Sequence, residues 1–488
     1  IWDLINLSES SENYEIKTVF INNIEIRNKN LLIQIFDYIK RRGFNRFLSF
    51  AIFKSFCEIE SIVIKKSGKF PNFYNKFNLD LENFDSFTLN PIISKSGLVY
   101  RYPIEDIETI KKLNLDLLIR AGSGILRGEI LNVCPNGVVS FHHADNEVNR
   151  GGPPGFWEVY EKNPRTGFII QRLTNELDGG DVLYRGYIRT SWFYSWNLAK
   201  LYEVSNPFFH KVIEDITSTN PKLVVQKKIP YSNRLYTYPN IWQLFNYLKK
   251  TFTFILSKLF IKLQGKNFRW GVAYQFSKSW NDVVLWRSHK IPNPKNRFLA
   301  DPFVIKKGQF HFCFVEDYDY RTCKGSISAY KISPSGYESL GVVLDENFHL
   351  SYPFIFEYNN NIFMCPETYE KEEIRLYKCV KFPNKWKFYK TLMSNVSAVD
   401  TNIFEYNNKW WMFTNFNKGI AEHNSQLHIF YSDNPLSNKW HAHESNPVIF
   451  DPLLARNGGM IIVDNQIYRV FQRQGFDIYG ESCGLAKI

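Results

Sequence analysis

The chain has 488 residues, of which 44% are hydrophobic and 22% charged. This length exceeds what one core supports, so we expect two or three domains of a soluble globular protein. The formal net charge is +12, but Lys and Arg are scattered, which favours a solvated basic surface over a nucleic-acid footprint. No run of about 20 apolar residues occurs, so no transmembrane helix is expected.

The cysteine pattern bears on the redox compartment and on metal binding, and the first residues bear on whether a strand precedes them. The chain has seven cysteines and no C-x-x-C pair, which argues against a disulfide framework and a structural zinc site. We therefore expect a reducing cytoplasm and no metal. The opening "IWDLIN" resembles the end of a helix, whereas doubly wound sheets usually begin with a strand. A first strand is therefore expected upstream of residue 1.

The first half alternates strand and helix patterns. Strands are predicted at 16–22, 115–122 and 137–142, helices at 31–42 and 104–114, and a helical turn at 129–133. Strands that alternate with helices are typical of parallel βαβ units. We therefore expect a Rossmann-like α/β domain over residues 1–225.

The stretch "SFHHADNEVNRGGPPGFW" (140–157) follows an apolar strand. In open α/β sheets, ligands bind at the carboxyl ends of strands. His142 lies at such an end, Arg150 and Gly151 form a sharp turn after it, and the "LDGGD" loop follows with Asp178 and Gly179. His143 is expected to point to the opposite face of the strand. The stretch is therefore either an active site or only a surface loop.

This order of residues resembles the formyltransferase family, whose members move a formyl group from 10-formyltetrahydrofolate to an amine. The family pattern is Asn-x-His at a strand end, an Arg-Gly turn and a Leu-Asp-x-Gly loop, and it covers roughly residues 1–200 here. The resemblance implies that His142 and Asp178 stabilise the oxyanion and handle the amine proton. Ser140 stands where the family has Asn, and a hydroxyl is a donor on a shorter arm.

The same resemblance implies a folate pocket and an acceptor class. The segment "LLIRAGSGILRGEIL" (117–131) is similar to the family segment that lines the pocket. The implied cofactor-binding residues are Leu118, Ile119, Ala121, Gly122, Gly151 and Gly179. The implied reaction is formyl transfer to an amine, on an amino sugar in surface glycan synthesis. A tRNA substrate is not expected, because a helix and a repeat domain follow where tRNA-modifying members carry a small barrel.

A long amphipathic helix is predicted at 241–264, within a linker at 226–268. Leu244, Leu248, Ile255, Leu259 and Leu263 share one face, with lysines between them. Two interpretations stay open. The helix packs between two domains, or it lies on a membrane surface as a peripheral contact. The oligomeric state is not predicted.

After residue 269 the pattern changes to repeated hairpins. Four segments resemble one another, beginning at residues 300, 351, 398 and 455, and each is an apolar strand, a polar turn and an aromatic strand. A period near 50 built of hairpins is typical of a β-propeller. With "WGVAYQF" (270–276) as a further unit, we predict a five-bladed propeller over 269–488.

This propeller resembles those of glycoside hydrolases and of glucosamine inositolphosphorylceramide transferases. Asp301, Glu367 and Asp400 lie at the edges of their repeats, where equivalent positions converge on the central channel. Arg456 and Gln472 are candidates for binding hydroxyls or a phosphate. Glycoside hydrolysis needs two carboxylates. The alternative function is therefore a glycan-hydrolysing or glycan-binding propeller with an altered, non-catalytic formyltransferase-like domain.

Overall fold

The computed structural model describes residues 2–24, 35–36, 39–40, 43–74, 84–122, 124–177, 179–218, 235–417 and 422–488. It divides into two compact units, residues 1–256 and 257–488. The boundary lies inside the helix predicted at 241–264. Most of the helix predicted at 31–42, and the candidate Asp178, lie outside the described residues.

The first unit combines helices with short strands. The helices are α1 (Trp2–Ser8), α2 (Phe44–Ser67), α3 (Pro71–Tyr74), α4 (Ile104–Lys112), α5 (Phe156–Glu161), α6 (Tyr194–Thr217) and α7 (Ile241–Leu263), which runs on into the second unit. The strands are β1 (Thr18–Asn22), β2 (Asp85–Leu89), β3 (Ile92–Ile93), β4 (Val99–Arg101), β5 (Leu118–Arg120), β6 (Ile125–Leu126), β7 (Val138–His142), β8 (Arg150–Gly151), β9 (Arg165–Arg172), β10 (Asp181–Arg189) and β11 (Leu235–Tyr236). The turn predicted at 129–133 is a 3₁₀ helix, Glu129–Asn132.

The main sheet of this unit is mixed, in the order β10-β9-β7-β5. Only β5 and β7 are parallel within it, whereas β9 pairs antiparallel with both β7 and β10. β1 and β2 form a separate parallel pair. The predicted Rossmann-like arrangement is therefore not confirmed. Residues 165–189 form two adjacent antiparallel strands, and apolar alternation does not distinguish this pairing from a parallel one. The strand expected upstream of residue 1 stays a prediction.

A buried carboxylate joins three helices beside this sheet. Phe53, Phe156 and Tyr247 belong to one apolar core contributed by α2, α5 and α7. Within it, Glu60 accepts hydrogen bonds from the Ser195 amide at 2.8 Å and from the Tyr247 hydroxyl at 2.8 Å. Burial raises the pKa of Glu60. The inner side of α7 is thereby fixed against α2 and the start of α6.

The second unit is almost entirely antiparallel sheet. After β12 (Val272–Tyr274) and β13 (His289–Ile291), its strands are β14 (Arg297–Lys307), β15 (Phe310–Asp319), β16 (Lys324–Ser333), β17 (Gly336–Leu344), β18 (Ser351–Tyr358), β19 (Asn361–Glu367), β20 (Glu373–Lys381), β21 (Lys385–Ser394), β22 (Ala398–Tyr406), β23 (Lys409–Phe416), β24 (Gln426–Ser432), β25 (His441–Ala442), β26 (Ile449–Phe450), β27 (Arg456–Val463), β28 (Gln466–Arg473) and β29 (Ser482–Lys487). Short 3₁₀ helices lie at Leu285–Arg287 and Tyr369–Lys371.

These strands form successive sheets in chain order: β12-β13, β14 to β17, β18 to β21, β22 to β26 and β27 to β29. The first strands of neighbouring sheets contact each other, β14 with β18, β18 with β22 and β22 with β27. Apolar side chains fill the space between sheets, as Phe354 and Met412 do. This arrangement is propeller-like, because each sheet buries its faces on its neighbours.

The turns between the first two strands of the repeats explain why the hairpins form. Asn359 and Asn360 both have positive φ, 48° and 59°. Asn407 with Asn408, and Asp464 with Asn465, repeat this geometry. Two consecutive left-handed residues make the turn that matches the twist of a hairpin, and Asn and Asp tolerate it best after Gly.

The contact between the sheets that begin with β22 and β27 adds buried polar contacts to an apolar core, to which Phe404 and Ile467 belong. Asn457 donates to the carbonyls of Asp400 at 2.9 Å and Phe413 at 3.1 Å, and its amide donates to Asn415 at 3.0 Å. Asn415 in turn donates to the Ala455 carbonyl at 2.9 Å. Asn415 and Asn457 are fully buried. Buried polar groups of each sheet are therefore satisfied by hydrogen bonds to the other sheet.

Two further features complete the description. All seven cysteines lie among the described residues and are free thiols. Within the part of the chain that the structure describes, no helix has the length and apolar character needed to cross a membrane.

Candidate active site

The site in the second unit begins with an irregularity repeated in three first strands. Asp301, Tyr352 and Asp400 each have a left-handed backbone, with φ of 47°, 46° and 50°. Each lies where the register with the second strand shifts, as in a β-bulge. A bulge re-aims a side chain, and a positive φ in a residue as large as Tyr is uncommon and costly. The three side chains are thus directed by the same local device.

The second strands add two glutamates at an equivalent place. Glu316 pairs with Ala300, the last regular residue before the bulge in β14. Glu367 pairs with Ser351, the corresponding residue of β18. Both glutamates are nearly buried, with 7% and 8% of the residue exposed. Glu316 was missed in the sequence, although it lies at the same offset within its repeat as Glu367.

A buried arginine from the fourth repeat binds the third. Arg456 Nε lies 2.5 Å from Asp400 Oδ2, and Nη2 lies 3.2 Å from Oδ1. Arg456 Nη2 also lies 3.6 Å from Glu367 Oε2. Gln472 donates to Asp400 Oδ2 at 3.1 Å, and Asn424 accepts from Arg456 Nη1 at 3.0 Å. The predicted residues Glu367, Asp400, Arg456 and Gln472 therefore lie together.

The remaining carboxylates of this cluster favour their protonated forms. Burial, followed by the charge of Asp400, raises the pKa of Asp301 to about 7, although Arg456 opposes the shift. The same two causes raise the pKa of Glu367, which is hydrogen-bonded to Asp400. Burial and the charge of Asp301 raise the pKa of Glu316. Arg456 is the positive charge that the described residues place against this cluster of four carboxyl groups, and burial together with mutual repulsion favours retained protons.

Histidine and tyrosine side chains surround the carboxylates. His349 Nε2 lies 3.7 Å from Glu316 Oε1, while its Nδ1 accepts from the Gly325 amide at 3.0 Å. The Tyr479 ring lies 5.1 Å from the Arg456 guanidinium carbon and remains 37% exposed. Tyr369 is similarly exposed. The cluster therefore combines buried acids with accessible aromatic rings, the usual composition of a polar small-molecule site.

No metal centre accompanies the cluster as described. Over the described ranges, no group of three or more His, Cys, Asp or Glu side chains is arranged to hold a metal ion.

The first unit places its predicted site residues differently. Leu118 and Ile119 lie on β5, with Ala121 and Gly122 exposed just after it. Ser140 lies on β7, where its Oγ accepts from Arg120 Nη1 at 3.2 Å and donates to the Phe141 carbonyl at 3.1 Å. The Ser140 side chain is thus occupied inside the sheet, and only 2% of the residue is exposed.

The rest of that predicted site is only partly described. His142 ends β7, paired with Ile169 of β9. His143 stacks on Tyr202 with ring centres 3.8 Å apart, and burial lowers its pKa to about 3. The Gly179 carbonyl accepts from Thr174 at 3.2 Å. Because Asp178 lies outside the described residues, the His142–Asp178 pair stays a prediction.

Sequence reasoning also missed two buried acidic residues in and beside the stretch 140–157. Asp145 accepts from Arg185 and from the Tyr187 hydroxyl, the latter at 2.8 Å. Glu158 is fully enclosed, and burial raises its pKa to about 7. Asp145 and Arg185 are 40 residues apart in the chain, so no local motif predicts their contact. The contact depends on how β9 and β10 pair.

Comparison with known proteins covers the two halves separately. Residues 270–488 match the family model "Glucosamine inositolphosphorylceramide transferase 1, N-terminal". The protein of that name from Oryza sativa subsp. japonica is 39% identical over 230 residues, covering 46% of this chain and 30% of the relative. The one from Arabidopsis thaliana is 36% identical over 214 residues, covering 43% and 28%. The chain thus spans about three tenths of the length of these relatives.

Other known proteins show a weaker likeness to this chain. A methionyl-tRNA formyltransferase of Bacillus subtilis is 25% identical over 208 residues, covering 41% of this chain and 61% of the relative.

Among solved structures, a thermostable family-43 glycoside hydrolase gives a TM-score of 0.31 at 11% identity, covering 39% of this chain and 71% of the other. A β-fructofuranosidase of Bombyx mori gives 0.32 at 13%, covering 41% and 49%. TM-scores this low carry no argument.

These findings correct the function expected from the sequence. The prediction of formyl transfer to an amino sugar, with 10-formyltetrahydrofolate as co-substrate, is wrong: the relatives at 36–39% identity are named for a glucosamine inositolphosphorylceramide transferase. The position of Ser140 agrees with this correction. Its hydroxyl is already engaged by Arg120 and by its own strand, so the donor that the family's Asn supplies has no counterpart there.

Proposed function

We propose that the protein takes part in glycosyl transfer and that the carboxylate cluster of the second unit binds the sugar. One observation carries the proposal. Asp301, with a pKa of about 7, lies beside an Arg456–Asp400 ion pair at the convergence of the repeats. A group that titrates near neutral pH both accepts and donates a proton readily, which acid–base catalysis requires. The similarity to transferases named for a glucosamine lipid supports the reaction class.

The proposed roles follow from charge and position. Asp301, in its ionised form, accepts the proton of the attacking hydroxyl while the sugar's anomeric carbon forms a bond to that oxygen and loses its leaving group. Arg456 and Gln472 hold the buried Asp400 in place, and the Glu367 carboxyl group binds a sugar hydroxyl. Tyr479 and Tyr369 offer aromatic faces at the exposed side. Acids, an arginine and rings of this kind are the polar and apolar elements that a sugar ring needs.

The matched family model is that of an N-terminal part, and the chain spans only part of its relatives. Sugar binding and bond formation are therefore tested separately. Binding is measured by saturation-transfer difference NMR with glucosamine and with myo-inositol as probes. We expect a signal from the wild type that is lost in Arg456→Met. The matched control is Asp345→Asn, an exposed acid paired with Lys324 at 2.8 Å. Equal signals in all three proteins would refute the site.

Transfer is measured by mass spectrometry. The full chain is incubated with UDP-N-acetylglucosamine or UDP-glucose and with inositolphosphorylceramide in detergent, and the lipid is examined for the mass of one added sugar. We expect Asp301→Asn to lower the rate by about 10²–10⁴-fold, the usual contribution of a general base or acid. Asp345→Asn should keep the wild-type rate. A rate unaffected by Asp301→Asn, or binding without transfer for either donor, would remove the catalytic role and leave sugar binding alone.

A further inference from the structure

Helix α7 presents an apolar face to solvent. Viewed along its axis, the side chains opposite the packed side are large and apolar. Within the first unit, their exposed fractions are 78% for Trp242, 62% for Phe245, 61% for Phe252 and 46% for Leu256. Monomeric soluble proteins rarely expose a contiguous apolar strip of this length without a partner for it.

The packed side fixes the direction of this face within the first unit. Leu244 and Tyr247 are buried in the core, and Lys250 donates to the Tyr160 carbonyl at 2.8 Å. Tyr247 is held further by its hydrogen bond to Glu60. Residues three, four and seven apart lie on one side of a helix, so Phe245, Phe252 and Leu256 must point away from the core.

The charges of α7 have one sign. Between Ile241 and Leu263 there are lysines at 249, 250, 258 and 262 and no acidic residue. Lys249 lies among the exposed apolar side chains. A lysine there keeps its stem in an apolar layer and extends its ammonium group to a polar boundary. Trp242 suits the same boundary, since its ring is apolar and its N–H is polar.

We infer that the exposed apolar face of α7 docks onto the surface of a bilayer that carries anionic lipids. The charge pattern favours this occupant, because anionic headgroups pair with lysines while the acyl boundary accepts Trp242, Phe245 and Phe252. A symmetric dimer through the same face would bury the Lys249 ammonium group of each copy in an apolar contact, which is unfavourable. The inference does not depend on the proposed sugar chemistry.

The test uses vesicle flotation with the full chain. The vesicles are phosphatidylcholine alone, or phosphatidylcholine with one quarter phosphatidylserine. We expect binding to the mixed vesicles, weakened by added salt, and at least tenfold weaker binding of the double variant Phe252→Ser/Leu256→Ser. Lys249→Gln should weaken binding to the mixed vesicles only. The control is Val304→Ser, which replaces a 55% exposed side chain of the second unit and should bind as the wild type does.

A second measurement separates docking from other causes. Vesicles with brominated acyl chains should quench part of the tryptophan emission of the wild type, and Trp242→Phe should reduce that quenching while the protein still floats. Absence of binding to mixed vesicles, or equal binding by the double variant, would overturn the inference. So would a wild-type dimer in sedimentation that the double variant converts to a monomer, because the face would then belong to a second copy.

Discussion

Asp400 and Arg456 lie 56 residues apart in the chain, yet Arg456 Nε contacts Asp400 Oδ2 at 2.5 Å. The contact joins β22 to β27, the first strands of two successive sheets. Burial lowers the pKa of Arg456, but the charge of Asp400 outweighs it and raises that pKa above the usual value. Asp400 is only 1% exposed. The carboxylate therefore depends on this guanidinium for its charge balance.

Removal of the guanidinium should destabilise the second unit. Arg456→Met keeps most of the side-chain volume but leaves Asp400 buried without its ion-pair partner, and breaking a buried pair typically costs about 3–5 kcal/mol. Urea unfolding measures the loss. The control is Lys307→Met, which breaks a surface pair with Glu357 at 2.7 Å and should cost about 1 kcal/mol or less. Equal losses in the two variants would mean that Asp400 finds other compensation.

The stability of the second unit should fall as the pH rises. The pKa of Asp301 is raised from 3.8 to about 7, so the folded state binds its proton more tightly than the unfolded state does. The resulting stabilisation is complete below the pKa that Asp301 has in the unfolded chain, and it is lost as the pH rises through about 7. Asp301→Asn should flatten this decline and be relatively more stable at alkaline pH. Glu316 and Glu367 shift in the same direction, so some slope should remain.

That experiment consists of urea unfolding of both proteins at a series of pH values across this window. Asp319→Asn is the control, since its carboxylate lies outside the cluster and bonds to Arg321 and Arg297. The pKa of Asp319 is lowered, chiefly by Arg321, so its contribution has the opposite sign: it is present above the unfolded pKa and lost only in acid. A decline with pH that is equally steep in Asp301→Asn and the wild type would contradict the raised pKa.

Gly151, predicted from the family resemblance to bind a cofactor, has a structural role that can be tested. Its φ is +92°, and an added Cβ would overlap the carbonyl oxygen of Tyr236 on β11. Gly151→Ala should therefore lower the free energy of unfolding by more than about 1 kcal/mol. Gly43→Ala is a matched control, because Gly43 has φ +86° with no atom within 4 Å of the added Cβ. Similar losses in thermal unfolding would assign the effect to backbone strain alone.

The hydroxyl of Tyr247 should contribute to the first unit. It donates to Glu60 at 2.8 Å and accepts from the Tyr194 amide at 2.9 Å. Tyr247→Phe leaves a buried amide and a buried carboxyl group each short of one partner, at a cost of about 1–3 kcal/mol. Tyr389→Phe, at a 45% exposed position, should change the free energy of unfolding little. A neutral Tyr247→Phe would mean that water replaces the hydroxyl.

The sequence predicted the hairpins of the second unit well, since Asn-Asn and Asp-Asn turns between apolar and aromatic strands are local signals. It also placed Asp301, Glu367, Asp400 and Arg456 as candidates. It did not predict the left-handed backbone at Asp301 and Asp400, because a bulge depends on the pairing of two strands. Glu316 has the same offset within its repeat as Glu367, so the repeat itself carries the signal for it.

The first unit was less predictable. The alternation of apolar segments indicated βαβ units, yet β9 and β10 pair antiparallel, and a strand's own residues do not specify its neighbour's direction. The similarity of residues 140–154 to a catalytic pattern predicts that the Ser140 hydroxyl is a donor in an active site. In the structure, Ser140 serves the sheet by bonding to Arg120, a contact between adjacent strands that no local motif reveals.

The polar contact between the sheets that begin with β22 and β27 has a consequence for cooperativity. Where repeats meet through apolar surface alone, a terminal repeat detaches at the cost of that surface. Here, detachment of the final sheet would also strip buried partners from Asn415 and Asp400, which carries a further penalty for each group left unsatisfied. The last two sheets should therefore melt together, and hydrogen exchange should report a single opening event for the amides of β23 and β28.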